Sequence, residues 1–188
     1  MEILEVARAV DAPCWAVGSG IVRDLVWDAL HGAGGDLDFK DIDLVFFDPS
    51  DLSHERESRV EAELKAQLDV PWDAKNQARV HLWYEAKFGF PVEPLTTIED
   101  AVATWPETAV CIAIRLESDG TIRIIAPFGL QDLFGLILRR NPRRVSREVF
   151  LKRAAAKDVA GRWPNVRILD DPDDPSQSAV SDRGGRPR

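Results

Sequence analysis

The chain has 188 residues, 45% of them apolar, enough for one domain with a substantial core. Its 24 basic and 32 acidic residues leave a net charge of −8, which repels a phosphate backbone and argues against a long nucleic-acid track. A small phosphorylated ligand is not excluded, because divalent cations neutralise both it and the carboxylates that hold it.

The N-terminus MEILEVARAVD lacks the basic start and apolar stretch of a signal peptide, and no run approaches the roughly 20 apolar residues of a membrane span, so a cytoplasmic protein is expected. Ile3, Val6, Ala7 and Val10 recur at helical spacing, and Pro13 separates that helix from a short strand, CWAV. Cys14 in this strand and Cys111 in AVCIAI are expected to be reduced core residues, since an isolated pair lacks metal-ligand spacing. Gly18, Ser19 and Gly20 break the strand, and a helix follows with Ile21, Leu25, Val26 and Leu30 on one side, stopping at Gly32. The polar loop GAGGDLDFK leads into DIDLVFF, whose β-branched and aromatic content reads as a buried strand ending at Asp48 and Pro49.

A charged helix with a solvated face is expected over 53–68, ended by Pro71. PWDAK reads as a short strand, and Asn76 as the cap of a helix running through ARVHLWYEAKFG to Gly89 and Pro91. AVCIAIRL and IRIIAP, joined by SDGT, form the clearest hairpin signal. Leu130, Leu133, Phe134, Ile137 and Leu138 predict another helix, and 145–161 a last, more basic one. From Asp170 onward apolar content almost vanishes, so the division expected is a domain over 1–169 and a disordered tail over 170–188. The elements together predict an α/β (α+β) domain, a small mixed sheet flanked by helices.

Asp41 and Asp43, two residues apart on a strand, point to one face with α-carbons about 6.5 to 7 Å apart. Paired carboxylates in that arrangement can hold Mg2+, and two ions about 3.5 to 4 Å apart can clamp both oxygens of an in-line displacement at phosphorus. D-x-D by itself is common in acidic proteins. Its force comes from the strand-turn-helix upstream, where Gly18, Ser19 and Gly20 can bring backbone N–H groups to phosphates at a positive helix end.

The combination G-S-G-I-V-R-D, a helix, a loop and then D-I-D-L-V resembles the polymerase β superfamily of nucleotidyltransferases over residues 14–48, and V-R-D is especially like the head of tRNA nucleotidyltransferases and poly(A) polymerases. The resemblance implies a polymerase β-like nucleotidyltransferase fold, a turn that cradles a triphosphate, and metals on Asp41 and Asp43. It also implies a third carboxylate on a neighbouring strand, for which Asp73 is best placed and Asp69 competes. W-D-A-K-N-Q-A-R-V-H, T-W-P-E-T and G-L-Q-D-L-F further resemble an uncharacterised bacterial family of small nucleotidyltransferase-like proteins, over residues 14–165. Nothing resembles the helical tail with which tRNA-maturing relatives grip RNA.

Around this centre, Arg23 can reach a phosphate with Asp24 orienting it, or form a local ion pair. Lys75, Asn76, Gln77, Arg79 and His81 cluster polar groups near Asp73 and are candidates for nucleotide or acceptor binding, although Asn76 is also an ordinary N-cap and His81 a plausible half-buried histidine. Of the aromatic residues Trp72, Trp83, Tyr84, Trp105 and Phe128, core filling is the default and is favoured for Trp83, with Trp105 open. The polar turns at 104–108 and 129–132 can display binding groups, and RRNPRR at 139–144 is the one place that could contact an anionic partner, with a solvated helix end the favoured reading.

The expected activity is transfer of a nucleoside monophosphate from a nucleoside triphosphate to an unknown small-molecule, protein or RNA acceptor, with release of pyrophosphate. Two Mg2+ ions, or Mn2+ in their place, would be the cofactors. The rivals are a nucleotide-sensing or interaction module that keeps the fold without turnover, and a phosphohydrolase using water as acceptor.

Overall fold

The computed structural model describes residues 1–33 and 41–170. The expected loop lies mostly outside the described residues, and so does the expected disordered tail, all but Asp170. The described chain runs α1 (Glu2–Ala9), β1 (Ala16–Gly18), α2 (Gly20–Leu30), β2 (Ile42–Phe46), α3 (His54–Gln67), β3 (Trp72–Asn76), a 3-10 turn (Gln77–Arg79) and α4 (Val80–Phe88). It continues through α5 (Ile98–Val102), a second 3-10 turn (Thr108–Val110), β4 (Ala113–Leu116), β5 (Ile122–Ile125), α6 (Gln131–Phe134), β6 (Ile137–Arg139), α7 (Arg147–Ala156), α8 (Val159–Arg162) and β7 (Arg167–Leu169).

Five strands form a mixed sheet in the order β3-β2-β1-β4-β5. Only β2 and β3 run parallel, joined by α3 as crossover, while β1–β2, β1–β4 and β4–β5 are antiparallel. Alternation along β2 decides which face does what. Ile42, Leu44 and Phe46 are fully buried in one core with Leu4 and Ala7 of α1, Ile21 and Trp27 of α2, and Val60 and Leu64 of α3. Side chains alternate across a strand, so committing those three residues to the helical layer sends Asp43 and Val45 to the opposite face. In β3, Trp72 and Ala74 likewise join the core and leave Asp73 and Lys75 beside Asp43. The second face is closed only in part, by Ile98 and Val102 of α5 packing on Val45, Ala113 and Ile125.

Five expectations are corrected. The apolar run from Leu130 is not one helix: α6 has four residues, Leu136 takes a left-handed φ of 53°, and Ile137–Arg139 is a strand paired in parallel with β7. A buried strand and a buried helix share such periodicity over a short run, and the packing partner decides between them. RRNPRR is therefore no helix end: Asn141 is buried and donates to the carbonyls of Ala103 and Trp105, and Arg139 pairs with Asp132. The last basic helix is broken at Lys157 and Asp158, the latter at φ 46°. Cys14 is exposed at φ 50°, whereas Cys111 is buried as expected, its thiol pushed up to about 12 by burial. On α3 the charged face is also less solvated than its composition suggests, since Arg56 and Glu57 are buried. Arg56 bonds Asp48, and Glu57 accepts from the Asn76 backbone and pairs with Arg79. Among the described residues no helix is long and apolar enough to cross a membrane.

Candidate active site

The parallel register sets Asp43 directly beside Asp73. Asp41 shares their parity and sits exposed just before β2 begins. Burial raises the Asp43 carboxyl to about 6, and the negative charges of Asp41 and then Asp73 add to the rise. Ser19 and Lys157 pull the other way. Asp69, the competitor for the third position, is exposed on the loop before β3.

The antiparallel register of β1 with β2 brings the turn after β1 to the same place. A Cβ on Gly18 would lie 2.8 Å from Ala113 Cβ, the Ile112 carbonyl oxygen and the Trp105 ring, so glycine is required there by strand packing. Ser19 is the residue under backbone strain, with φ 65° and ψ −131°, and its N–H is committed to Ile112 O. The N–H groups that an anion can use are those of the first turn of α2, Gly20 to Val22, which have no intrahelical acceptor. Ser19 makes no side-chain cap to them.

These residues open into a cleft of about 530 Å³. Ser19, Asp43 and Asp73 line it together with Lys75 and Gln77. One side is aromatic: Trp83 and Tyr84 of α4, Phe88 and Phe90, with Tyr84 and Phe88 centroids 4.5 Å apart. The other is the N-terminal approach and body of α7, with Arg144, Val149 and Arg153. Arg144 lies 5.0 Å from the Tyr84 ring centroid, and burial lowers its pKa. Trp105 also lines the cleft, whereas Trp72 is core and Phe128 is exposed away from it.

The sequence candidates thus divide. Lys75 and Gln77 reach the cleft, and the Lys75 ammonium is bonded to the Asp73 carboxylate. Asn76 is fully buried and works on the fold, joining the Asp48 backbone, the Asp51 carbonyl and the Ala78 N–H. Arg79 is held by Glu57 and the Leu52 carbonyl. His81 is half-buried outside the cleft lining. Arg23 is 2% exposed, bonded to Asp24 at 2.8 Å and stacked 5.4 Å from the Trp27 ring and 5.1 Å from that of Trp163. Arg144, which lines the cleft, belongs to RRNPRR, the stretch that could contact an anionic partner, whereas Arg153 is not among the sequence candidates. The i, i+4 spacing of Arg153 and Lys157 is a signal, but one indistinguishable from a solvated helix face.

Asp41, Asp43 and Asp73 are the side chains that could hold metal. Among the described residues no three His, Cys, Asp or Glu side chains already close into a metal cage. The donor chemistry fits a cation nonetheless: a buried carboxylate raised by two like charges is relieved by positive charge, and Lys75 supplies one such charge to Asp73.

No curated protein matches the chain significantly. A structure described as revealing a CCA-adding enzyme head domain superposes with a TM-score of 0.72 at 24% identity, covering 88% of this chain and 86% of that one. A CCA-adding enzyme solved in complex with CTP gives a TM-score of 0.52 at 18% identity, covering 88% of this chain and 38% of that longer one. Both likenesses are of fold. A family profile described as nucleotidyltransferase matches residues 5–168. With Asp43 and Asp73 in register and residues 5–168 matched, this chain belongs to the nucleotidyltransferase family.

Proposed function

We propose that this chain transfers a nucleoside monophosphate from a nucleoside triphosphate to a hydroxyl or phosphate oxygen of an acceptor still to be identified, releasing pyrophosphate, in a Mg2+-dependent reaction in the cytoplasm. The observation that carries the proposal is the register Asp43↔Asp73 with the Ser19 turn beside it, which sets acceptors for cations next to donors for phosphate. The fold shared with a CCA-adding enzyme solved with CTP supports a nucleoside triphosphate as ligand.

Asp41, Asp43 and Asp73 would hold Mg2+, or Mn2+ in its place, and the bound ions would neutralise the triphosphate and polarise its α-phosphate. The chain's own groups position the rest. Amides of the first turn of α2 orient phosphate oxygens, at no reorganisation cost because the helix already fixes them. Asp73 would accept the proton of the incoming hydroxyl once Lys75, now bonded to it, lets go, and Lys75 would then move to a phosphate oxygen. The aromatic side formed by Trp83, Tyr84 and Phe88 keeps water from the reacting oxygen and offers flat surface to a ring. Pyrophosphate release from each of the four ribonucleoside triphosphates, measured against metabolite and RNA panels, tests the proposal. Asp43→Asn should abolish release, and unchanged release in that variant would defeat it.

The Lys75–Asp73 pair also favours a second reading, a nucleotide-sensing module without turnover, because it neutralises a carboxylate that turnover needs free. Mg2+-dependent thermal stabilisation by a triphosphate with no pyrophosphate release on any acceptor would select that reading.

A further inference from the structure

We propose that the aromatic end of the cleft binds the acceptor, and that the acceptor is a small molecule with a planar ring and an anionic group, the ring on Trp83 and Phe88 and the anion on Arg144. The inference names the acceptor class for the nucleotidyl-transfer reading and rests on it.

In-line displacement decides which end of the cleft the acceptor enters. The entering oxygen and the departing pyrophosphate lie on opposite sides of the α-phosphorus. The strand order β3-β2-β1 puts Asp43 between Asp73 on one side and the turn that opens α2 on the other. With the amides of that turn holding phosphate, the acceptor comes from the side of Asp73. α4 begins on that side, because it follows β3 through the Gln77–Arg79 turn. Lys75, Gln77 and Val80 carry the cleft lining from Asp73 to Trp83.

The surface met there is open and flat. Phe88 and Phe90 are 49% and 41% exposed, so they do not fill the core. Gly89, left-handed at φ 85°, ends α4 and returns Phe90 onto Tyr84, with ring centroids 5.3 Å apart. Aromatic side chains left open inside a cleft fit the face of a planar ligand.

The charge comes from RRNPRR, and three of its arginines are taken. Arg139 is bonded to Asp132, Arg140 to the carbonyls of Asp170 and Val145, and Arg143 to Asp100 at 2.7 Å. Among the described residues Arg144 has no hydrogen-bond or ion-pair partner, although it is half-buried and lines the cleft. Stacking on Tyr84 occupies one face of the guanidinium and leaves its N–H edge for an acceptor of hydrogen bonds. Lys87 adds a second positive charge, 5.4 Å from the Trp83 ring centroid. A partly desolvated cation that no protein group satisfies is complemented by an anion on the ligand. The net charge of −8 opposes a polyanion and favours a small acceptor.

Ring and anion take no part in the bond changes; they orient the reacting oxygen. That oxygen bonds the α-phosphorus, the bond to the bridging oxygen breaks, and its electron pair leaves on pyrophosphate. Where the acceptor group is a hydroxyl, its proton goes to Asp73.

The competing account gives the aromatic end to the base of the nucleoside triphosphate. Titration calorimetry of the full chain with 1-naphthyl phosphate, 1-naphthoate and neutral 1-naphthol separates the two. Each probe is titrated in Mg2+, with and without a saturating α,β-methylene analogue of whichever ribonucleoside triphosphate binds. The anionic probes should bind in both conditions and more tightly than naphthol, and the tighter of the two identifies the anion as phosphate or carboxylate. Arg144→Met should weaken the anions by about tenfold and leave naphthol unchanged, Arg144→Lys should recover part of the loss, and Trp83→Ala should weaken all three. Displacement of the probes by the analogue assigns this end to the base and overturns the inference, while the transfer reading stands. Absence of probe binding, or anion affinity that Arg144→Met does not change, overturns it as well. If the probes bind as expected yet no triphosphate releases pyrophosphate with any acceptor, the transfer reading fails and the site for ring and anion stands.

Discussion

Asp43→Asn should make the protein more stable while removing its activity. The carboxyl is raised from 3.8 to about 6 because burial, Asp41 and Asp73 disfavour its charge, so ionised Asp43 is a destabilising group in the folded chain. At about 1.4 kcal/mol per pKa unit the full penalty is about 3 kcal/mol, and water entering the cleft reduces it to about 2 kcal/mol. The sign follows from which state binds the proton more tightly. Folded Asp43 holds its proton up to about 6 and the unfolded residue only to 3.8, so the penalty is complete above about 6 and relieved as pH falls toward 3.8. The asparagine variant carries no such charge. Urea denaturation without divalent metal should therefore show Asp43→Asn about 2 kcal/mol more stable than wild type at pH 8, with the difference shrinking to near zero at pH 4. For a chain of this size the pH 8 gain corresponds to about 4 to 8 °C in Tm. Adding Mg2+ and a triphosphate should reverse the order, because only the wild type gains from ligand. A variant less stable than wild type at pH 8, or a gain that does not change with pH, would refute the electrostatic account of this site.

Ser19→Gly should raise stability by about 1 kcal/mol by removing strain at φ 65°, yet weaken catalysis through loss of the hydroxyl beside Asp43, which calorimetry and pyrophosphate assays read separately. Gly18→Ala should cost about 1 to 3 kcal/mol with or without nucleotide, because its new Cβ meets Ala113, the Ile112 carbonyl and Trp105; a loss confined to nucleotide affinity would show that packing is not its role. A thiol reagent at pH 8 should label Cys14 promptly and Cys111 only on unfolding, since burial pushes the Cys111 thiol up to about 12. Two fast thiols would contradict that burial.

By itself the sequence determined the parts whose physics is local. The alternation in DIDLVFF required Asp41 and Asp43 to share a face, the glycines around Ser19 required a turn, and SDGT between two apolar runs required a hairpin, which the structure has as β4 and β5. It also held the family, because the turn and the aspartates occur together in one short stretch. What the sequence could not hold is set by distant partners. Asp73 and Asp69 are equally acidic in one dimension, and only the pairing of β3 against β2 puts Asp73 beside Asp43. Arg56 and Glu57 read as surface charge until the fold brings Asp48 and Asn76 to them, and Arg79 reads as a binding candidate until Glu57 claims it. Ile137 and Leu138 fit a helix until β7 offers a strand to pair with. Arg23 and Trp163 are far apart in sequence, and only tertiary packing sets the guanidinium 5.1 Å from the Trp163 ring centroid. Periodicity reports which face of an element is buried, whereas a site depends on which buried faces meet, and that is a property of tertiary packing.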